Sequence, residues 1–160
     1  MPSDPRPQGR PASRLPGDPD LPASPAPLHR QPRALLAVAL GGAAGAPLRH
    51  GLGAVVPPAA SGFPTGTLLV NLVGCLLLGA LVEALALRAR PGTFTSRYAR
   101  PFAGSGLLGA FTTYSTFAVE TDRLLALDRA GTALAYVLVS LLGGLLAAAS
   151  GVAAARRVSS

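Results

Sequence analysis

The chain has 160 residues, of which 49% are hydrophobic and only 13% charged, and its net charge is +7. Soluble globular domains average about 25% charged residues, so this composition excludes an ordinary soluble domain and points to a membrane. All fourteen basic residues are arginines; they flank apolar runs and form no basic face interleaved with aromatics, which argues against nucleic acid and for anionic lipid and the setting of topology.

Residues 1–33 hold ten of the sixteen prolines, five arginines and three aspartates. No apolar period runs through them, so they are expected to form a disordered Pro/Arg-rich tail. The folded domain is then 34–160. A cleaved signal is not expected: the first apolar run starts behind too long a polar region and continues past signal length.

Four apolar segments follow, over about 34–56, 65–87, 102–125 and 132–155. Each approaches the roughly 20 residues that cross a bilayer core as a helix. Short breaks make neighbours antiparallel, and only helices satisfy their backbone inside lipid at these lengths. The expected fold is therefore an all-α membrane protein with four transmembrane helices.

The first segment carries a G-x-x-x-G pair, Gly41 and Gly45, which suits close helix packing. Near its end stand Arg49 and His50. Arg49 reads either as a snorkelling anchor or as an anion-attracting group at a vestibule. His50 reads as interfacial, since no second His or Cys sits at metal spacing. The second segment carries Thr65, Thr67, Asn71 and Glu83. Asn71 lies deep in an apolar run, either bonded to a neighbouring helix or offering N–H groups to an anion. Glu83 is expected to form a surface pair with Arg88. Cys75, the single cysteine, excludes a disulfide within the chain and reads as a small packing residue.

The third segment is the unusual one. Gly104, Gly106 and Gly109 weaken the helix. Thr112, Thr113, Ser115 and Thr116 then put four hydroxyls into five positions, interleaved with Phe111, Tyr114 and Phe117. Polar groups are expensive in lipid and mark a pathway or site by default. The stretch predicts a helix break that frees carbonyls for a hard cation. Ring edges are positive, so Tyr114 and Phe117 beside hydroxyl donors suit a small, hard anion. Glu120 follows near the outer end. In the fourth segment Tyr136 and Ser140 stack four apart on one face and could extend the hydroxyl track. Ser140, Gly144 and Ala148 share a face suited to close packing.

With four spans, the tail, the 88–101 break and the C-terminus share one side. That side holds eleven arginines against three (Arg49, Arg123 and Arg129) on the other. The positive-inside rule puts both termini in the cytoplasm.

Three motifs, GGAAGAPLRH over 41–50, GTLLVNLVG over 66–74 and GAFTTYSTF over 109–117 with Glu120, resemble the CrcB/Fluc fluoride channel family. The resemblance covers about the last 125 residues. It implies a four-helix subunit, an antiparallel dimer and two narrow fluoride pores. It implies that Tyr114 and Phe117 stand at the paired pore phenylalanines, that Asn71 lines the pore, and that Ser115 and Thr116, with Tyr136 and Ser140, form a polar track. Arg49 matches the arginine ending the first motif. A structural sodium ion is implied at the dimer interface, held by main-chain carbonyls that by position belong to Gly109 and Thr112. The chain departs from the pattern in having Tyr114 where a Phe is usual. Its arginine bias also departs from a dual-topology homodimer, and suggests one orientation and an oppositely oriented paralogue as partner. The strongest rival, a small proton-coupled multidrug antiporter, needs a carboxylate in the first span, where there is none. A purely structural subunit would leave the hydroxyl cluster unexplained. An enzyme is not expected, because no nucleophile–base pair or metal set is present.

Overall fold

The computed structural model describes residues 30–56, 59, 62–88 and 95–159. The expected tail lies outside the described residues as far as position 29. All regular elements among the described residues are helical. Helix α1 is Pro32–Val55 and α2 is Thr65–Arg88. Helix α3 is π-wound over Thr95–Leu108 and closes with one α turn, Gly109–Phe111. Helices α4 and α5 are Ser115–Ala126 and Ala130–Ser159.

Local chemistry explains several boundaries. Pro32 occupies the first turn of α1, where its missing N–H would have no partner and its fixed φ suits the helix. Pro101 lies inside the π-wound part of α3; a proline there has no donor and its ring displaces the carbonyl a turn before. Helix begins at Thr95, seven residues ahead of the expected third segment. The expected 121–131 break contracts to a tight turn after Ala126. Three bonds close that turn: Leu127 N–H to Arg123 O, Asp128 N–H to Leu125 O, and Arg129 N–H to Leu124 O. Asp128 takes φ 57° there, a left-handed conformation that Asp tolerates better than most residues.

The helices pack as two parallel pairs. In α1 and α3, an added Cβ on Gly41 would meet the Phe102 carbonyl and one on Gly45 the Leu107 carbonyl. The G-x-x-x-G pair is thus the surface across which the two backbones touch. In α2 and α5, Gly79 abuts the Ala148 carbonyl, Gly144 lies beside the Cys75 sulfur, and Gly151 abuts the Leu76 carbonyl. The Ser140–Gly144–Ala148 face therefore turns toward α2. This register also brings Arg156 to Glu83, Nε to Oε1 at 2.8 Å. Glu83 thus finds a partner on α5, 73 residues away; the side chain of Arg88, its expected partner, lies outside the described residues.

The pairing puts the start of α1, the start of α3 and the ends of α2 and α5 at one end, called here the arginine-rich end. Arg123 and Arg129 lie at the other. The core there is small: Leu124, Ala133 and the fully buried Tyr136, flanked by Phe63, Leu68 and Phe117.

Two helices among the described residues are long and apolar enough to cross a membrane, Thr65–Leu87 with mean hydropathy 2.3 and Ala130–Ser159 with 2.1. Only 11% and 6% of their apolar windows are buried within the chain. A soluble protein's core helix would be mostly buried, whereas Leu134, Leu141, Leu142, Leu145 and Leu146 of α5 all point outward. This surface is that of a membrane protein. Helix α1, with Arg33, Arg49, Pro47 and five glycines, does not reach the same apolarity.

Candidate functional site

The site is built around residues 112–114, which lie between two helices. Helix α3 stops at Phe111, Thr112 is extended at φ −76°, ψ 157°, and α4 resumes at Ser115. The N–H of Thr112 and its hydroxyl both donate to the Leu108 carbonyl, at 3.0 and 2.9 Å, which ends the turn. The next N–H, from Thr113, would reach the Gly109 carbonyl in an unbroken helix. Here it donates to Asn71 Oδ1 at 2.9 Å, while Asn71 Nδ2 donates to the Thr113 carbonyl at 2.9 Å. The amide of Asn71 thus stands in for a strand partner and holds the segment open from α2. Three residues further on, Thr116 N–H turns to Thr113 Oγ1 at 3.2 Å and not to the Thr112 carbonyl. Thr113 acts as the N-cap of α4 in all but the formal boundary.

Two main-chain carbonyls, of Gly109 and Thr112, are therefore relieved of their usual helical donors. Hard cations take oxygen ligands, and unwound carbonyls are the form in which membrane helices supply them. The residue pair named for sodium from the sequence fits that chemistry. Close approach is also secured there: Gly74 of α2 sits directly against the Thr112 side chain, where a Cβ would collide with Cγ2.

Hydroxyls gather on the α4 side of the break. Thr113 Oγ1 donates to Thr116 Oγ1 at 3.0 Å and lies 3.3 Å from Ser115 Oγ. Further along α4, Glu120 accepts from two helices at once, Thr67 Oγ1 of α2 on Oε1 and Tyr136 OH of α5 on Oε2, both at 2.8 Å. Both carboxylate oxygens are thereby engaged.

The aromatic rings form a row. Tyr114 and Phe117 have centroids 6.0 Å apart, Phe117 and Tyr136 5.1 Å, and Phe63 meets Tyr136 edge-on at 5.5 Å. Burial differs sharply along it. Tyr136 is 0% exposed and Tyr114 is 80% exposed. Tyr114 reaches out from the chain, and Tyr136 belongs to the packed core.

Two hollows flank Thr113, which lines both. The first, of about 380 Å³, is walled by Asn71, Thr112, Thr113, Tyr114, Phe117 and Ser140, with Gly109 and Cys75 at its edges. Ser140 Oγ is buried and has no hydrogen-bond partner among the described residues, a costly state for a hydroxyl. The second hollow, of about 350 Å³, holds Arg49, His50, Thr67, Thr113 and Thr116.

Of the residues named from sequence, the first hollow thus brings together Asn71, Tyr114, Phe117, Ser140, Gly109 and Thr112. Arg49 and Thr116 share the second. Ser115 is exposed beside Thr113, and Tyr136 is drawn into the Glu120 network. The two residues that sequence reasoning left without a role in the site are Thr113 and Glu120. A signal for each was present. Thr113 stands three residues before Thr116, the spacing of an N-cap bond, and Glu120 stands one helical turn beyond Phe117 and Thr116.

A model of the family described as CrcB-like protein, Camphor Resistance (CrcB), matches residues 36–152. The chain is similar to the fluoride-specific ion channel FluC 2 of Leifsonia xyli, with 40% identity over 127 residues, 79% of this chain and 86% of the relative. It is similar to the fluoride-specific ion channel FluC of Paracoccus denitrificans, with 41% identity over 121 residues, 76% and 93% of the two chains. A third relative, FluC of Hyphomonas neptunium, is 44% identical over 124 residues, 77% and 95% of the two chains. These relatives are channels and not enzymes.

Proposed function

The chain belongs to the CrcB-like family, and from that premise we propose that it is a subunit of a fluoride-specific ion channel that exports fluoride passively and so lowers its toxicity. Fluoride enters acidified cells as the neutral acid and is trapped inside as the anion, so a passive pore suffices for its escape. The ion is small and strongly hydrated. A pore must replace its water with several donors, each weak enough to let it leave.

The single observation that carries this reading is the 380 Å³ hollow beside the interrupted helix, lined by Asn71, Tyr114, Phe117 and Ser140, the last with a buried hydroxyl that has no hydrogen-bond partner among the described residues. Asn71 spends one N–H on Thr113 and keeps a second for the ion. Ring edges of Tyr114 and Phe117 add weak positive potential. Ser115 and Thr116 continue the donor line toward Arg49, which raises local anion concentration at the second hollow. Tyr136 acts through Glu120, which it and Thr67 hold in place.

The exposed ring of Tyr114 beside an open-sided hollow supports assembly with a second chain in antiparallel orientation, and we read residues 112–114 as the break of the third of four spans. The carbonyls of Gly109 and Thr112, with those of the partner, would hold a structural sodium ion, whose charge would tie the two breaks together. We place the protein in the plasma membrane with both termini in the cytoplasm. The arginine bias favours one orientation and an oppositely oriented paralogue as partner. A multidrug antiporter finds no support: α1 contains no Asp or Glu, and the relatives are named as channels.

The test is fluoride efflux from liposomes holding the purified protein, alone and co-reconstituted with a paralogue, with chloride as control. Fluoride efflux that Phe117→Ile abolishes supports the reading. Vesicles no more permeable to fluoride than empty ones, in both preparations, overturn it.

A further inference from the structure

A groove of about 480 Å³ lies between α1 and α3 at the arginine-rich end, away from both hollows of the ion pathway. Its α1 wall is Arg33, Leu36, Ala37 and Leu40, and its α3 wall is Tyr98, Ala99 and Phe102. The α1 residues follow spacings of three, one and three, so they form one helix face. That face is graded. It begins with a guanidinium in the first turn and becomes wholly apolar by Leu40, about 10 Å deeper along the axis. Leu36 and Leu40 are exposed by more than half and Phe102 by 38%, so these apolar groove walls are left open by the described residues. Among the described residues Arg33 carries no salt bridge.

We infer that this groove binds one anionic phospholipid, with its phosphate on Arg33 and an acyl chain laid along Leu36, Leu40 and Phe102. Charge complementarity selects the occupant. Arg30, Arg33, Arg100, Arg156 and Arg157 are all exposed at this end, and basic pockets between membrane helices recruit anionic headgroups. A polar mouth over an apolar trough has the shape of a headgroup over its chain. Seven residues line the groove, against the 20–30 a side of a stable protein interface, so a protein partner would find too little surface. This site needs only that the chain sits in a membrane, and is independent of what the pathway conducts.

The chain has no tryptophan, so Phe102→Trp places a background-free fluorophore in the groove of the full-length protein. A second variant, Leu141→Trp on the outward face of α5, reports ordinary lipid contact. Both are reconstituted in phosphatidylcholine vesicles with the same minor fraction of acyl-brominated phosphatidylglycerol or of acyl-brominated phosphatidylcholine. At position 102 the anionic lipid is expected to show about fivefold local enrichment over the neutral one, the effect of one arginine near an anionic headgroup. At position 141 the two lipids should quench alike. Adding Arg33→Gln to Phe102→Trp should remove the preference, and Arg33→Lys should retain most of it. Equal quenching by the two lipids at 102, or a preference that survives Arg33→Gln, overturns the proposal. Quenching by neither lipid at 102, with normal quenching at 141, means that protein covers the groove and also overturns it.

Discussion

Asn71 does at residue scale what no helix geometry could do. Its amide exchanges two hydrogen bonds with the Thr113 backbone, across 42 residues of sequence. Replacing it by Ala leaves that N–H and C=O without partners at membrane depth. Interhelical hydrogen bonds in membranes average about 0.6 kcal/mol each, so Asn71→Ala is expected to cost about 1–2 kcal/mol and to cut fluoride efflux at least tenfold. Thermal melts in detergent and vesicle efflux check the two effects; unchanged efflux would remove Asn71 from the pathway. Ser140 makes the opposite case. Its hydroxyl is buried with no partner among the described residues, so Ser140→Ala removes an unsatisfied group and should leave the melting temperature unchanged or higher. Efflux should nevertheless slow. A variant that is equally fast shows that the hydroxyl does not serve the ion. Thr113→Val deletes the oxygen that accepts from Thr116 N–H and should cost about 1 kcal/mol, as lost caps do.

At the scale of elements, glycines mark where helices touch, and not every glycine does. A Cβ at Gly45 would fall on the Leu107 carbonyl, a backbone atom with no rotamer to yield. Gly45→Ala should therefore force α1 and α3 apart and cost about 1–3 kcal/mol, the range for overpacked sites. Gly51, in the same helix, has nothing within 4 Å of its would-be Cβ. Gly51→Ala should be neutral or stabilise by up to about 1 kcal/mol through helix propensity alone. Melting temperatures of the two variants, compared directly, test the α1–α3 crossing; equal destabilisation would contradict it. The π-wound stretch of α3 joins Pro101 and several glycines to a turn that cannot continue past Phe111, so weakness is concentrated just ahead of the segment Asn71 holds open.

For the whole molecule, the parallel pairing of α1 with α3 and of α2 with α5 sorts the charges. Arginines gather at the end where α1 begins and α5 finishes. A reporter fused to the C-terminus should accordingly show one orientation, cytoplasmic, whereas equal populations of both would point to a dual-topology homodimer. The Glu83–Arg156 pair at that end is two-thirds exposed on the arginine side and contributes little in water; Arg156→Gln should leave the melting temperature within error.

Much of this was legible in the sequence because membranes impose simple constraints. Long apolar runs, scarce charge and hydroxyls crowded among aromatics follow from composition and period, and they led to the helical class, the position of the special segment and the family. Local rules failed where partners are distant in the chain. The glycines of the third segment are local and visible in the sequence, but the amide that bonds the Thr113 backbone comes from another helix. Glu120 read as a carboxylate near a helix end until packing put Thr67 and Tyr136 on its two oxygens. Spacing alone stacks Tyr136 with Ser140 and cannot show that Tyr136 is fully buried with its hydroxyl on Glu120, or that Tyr114 is left exposed. A sequence lists which groups are available to bond; which pairs meet depends on how closely α2 and α5 approach, and that distance is set by backbone contacts in three dimensions.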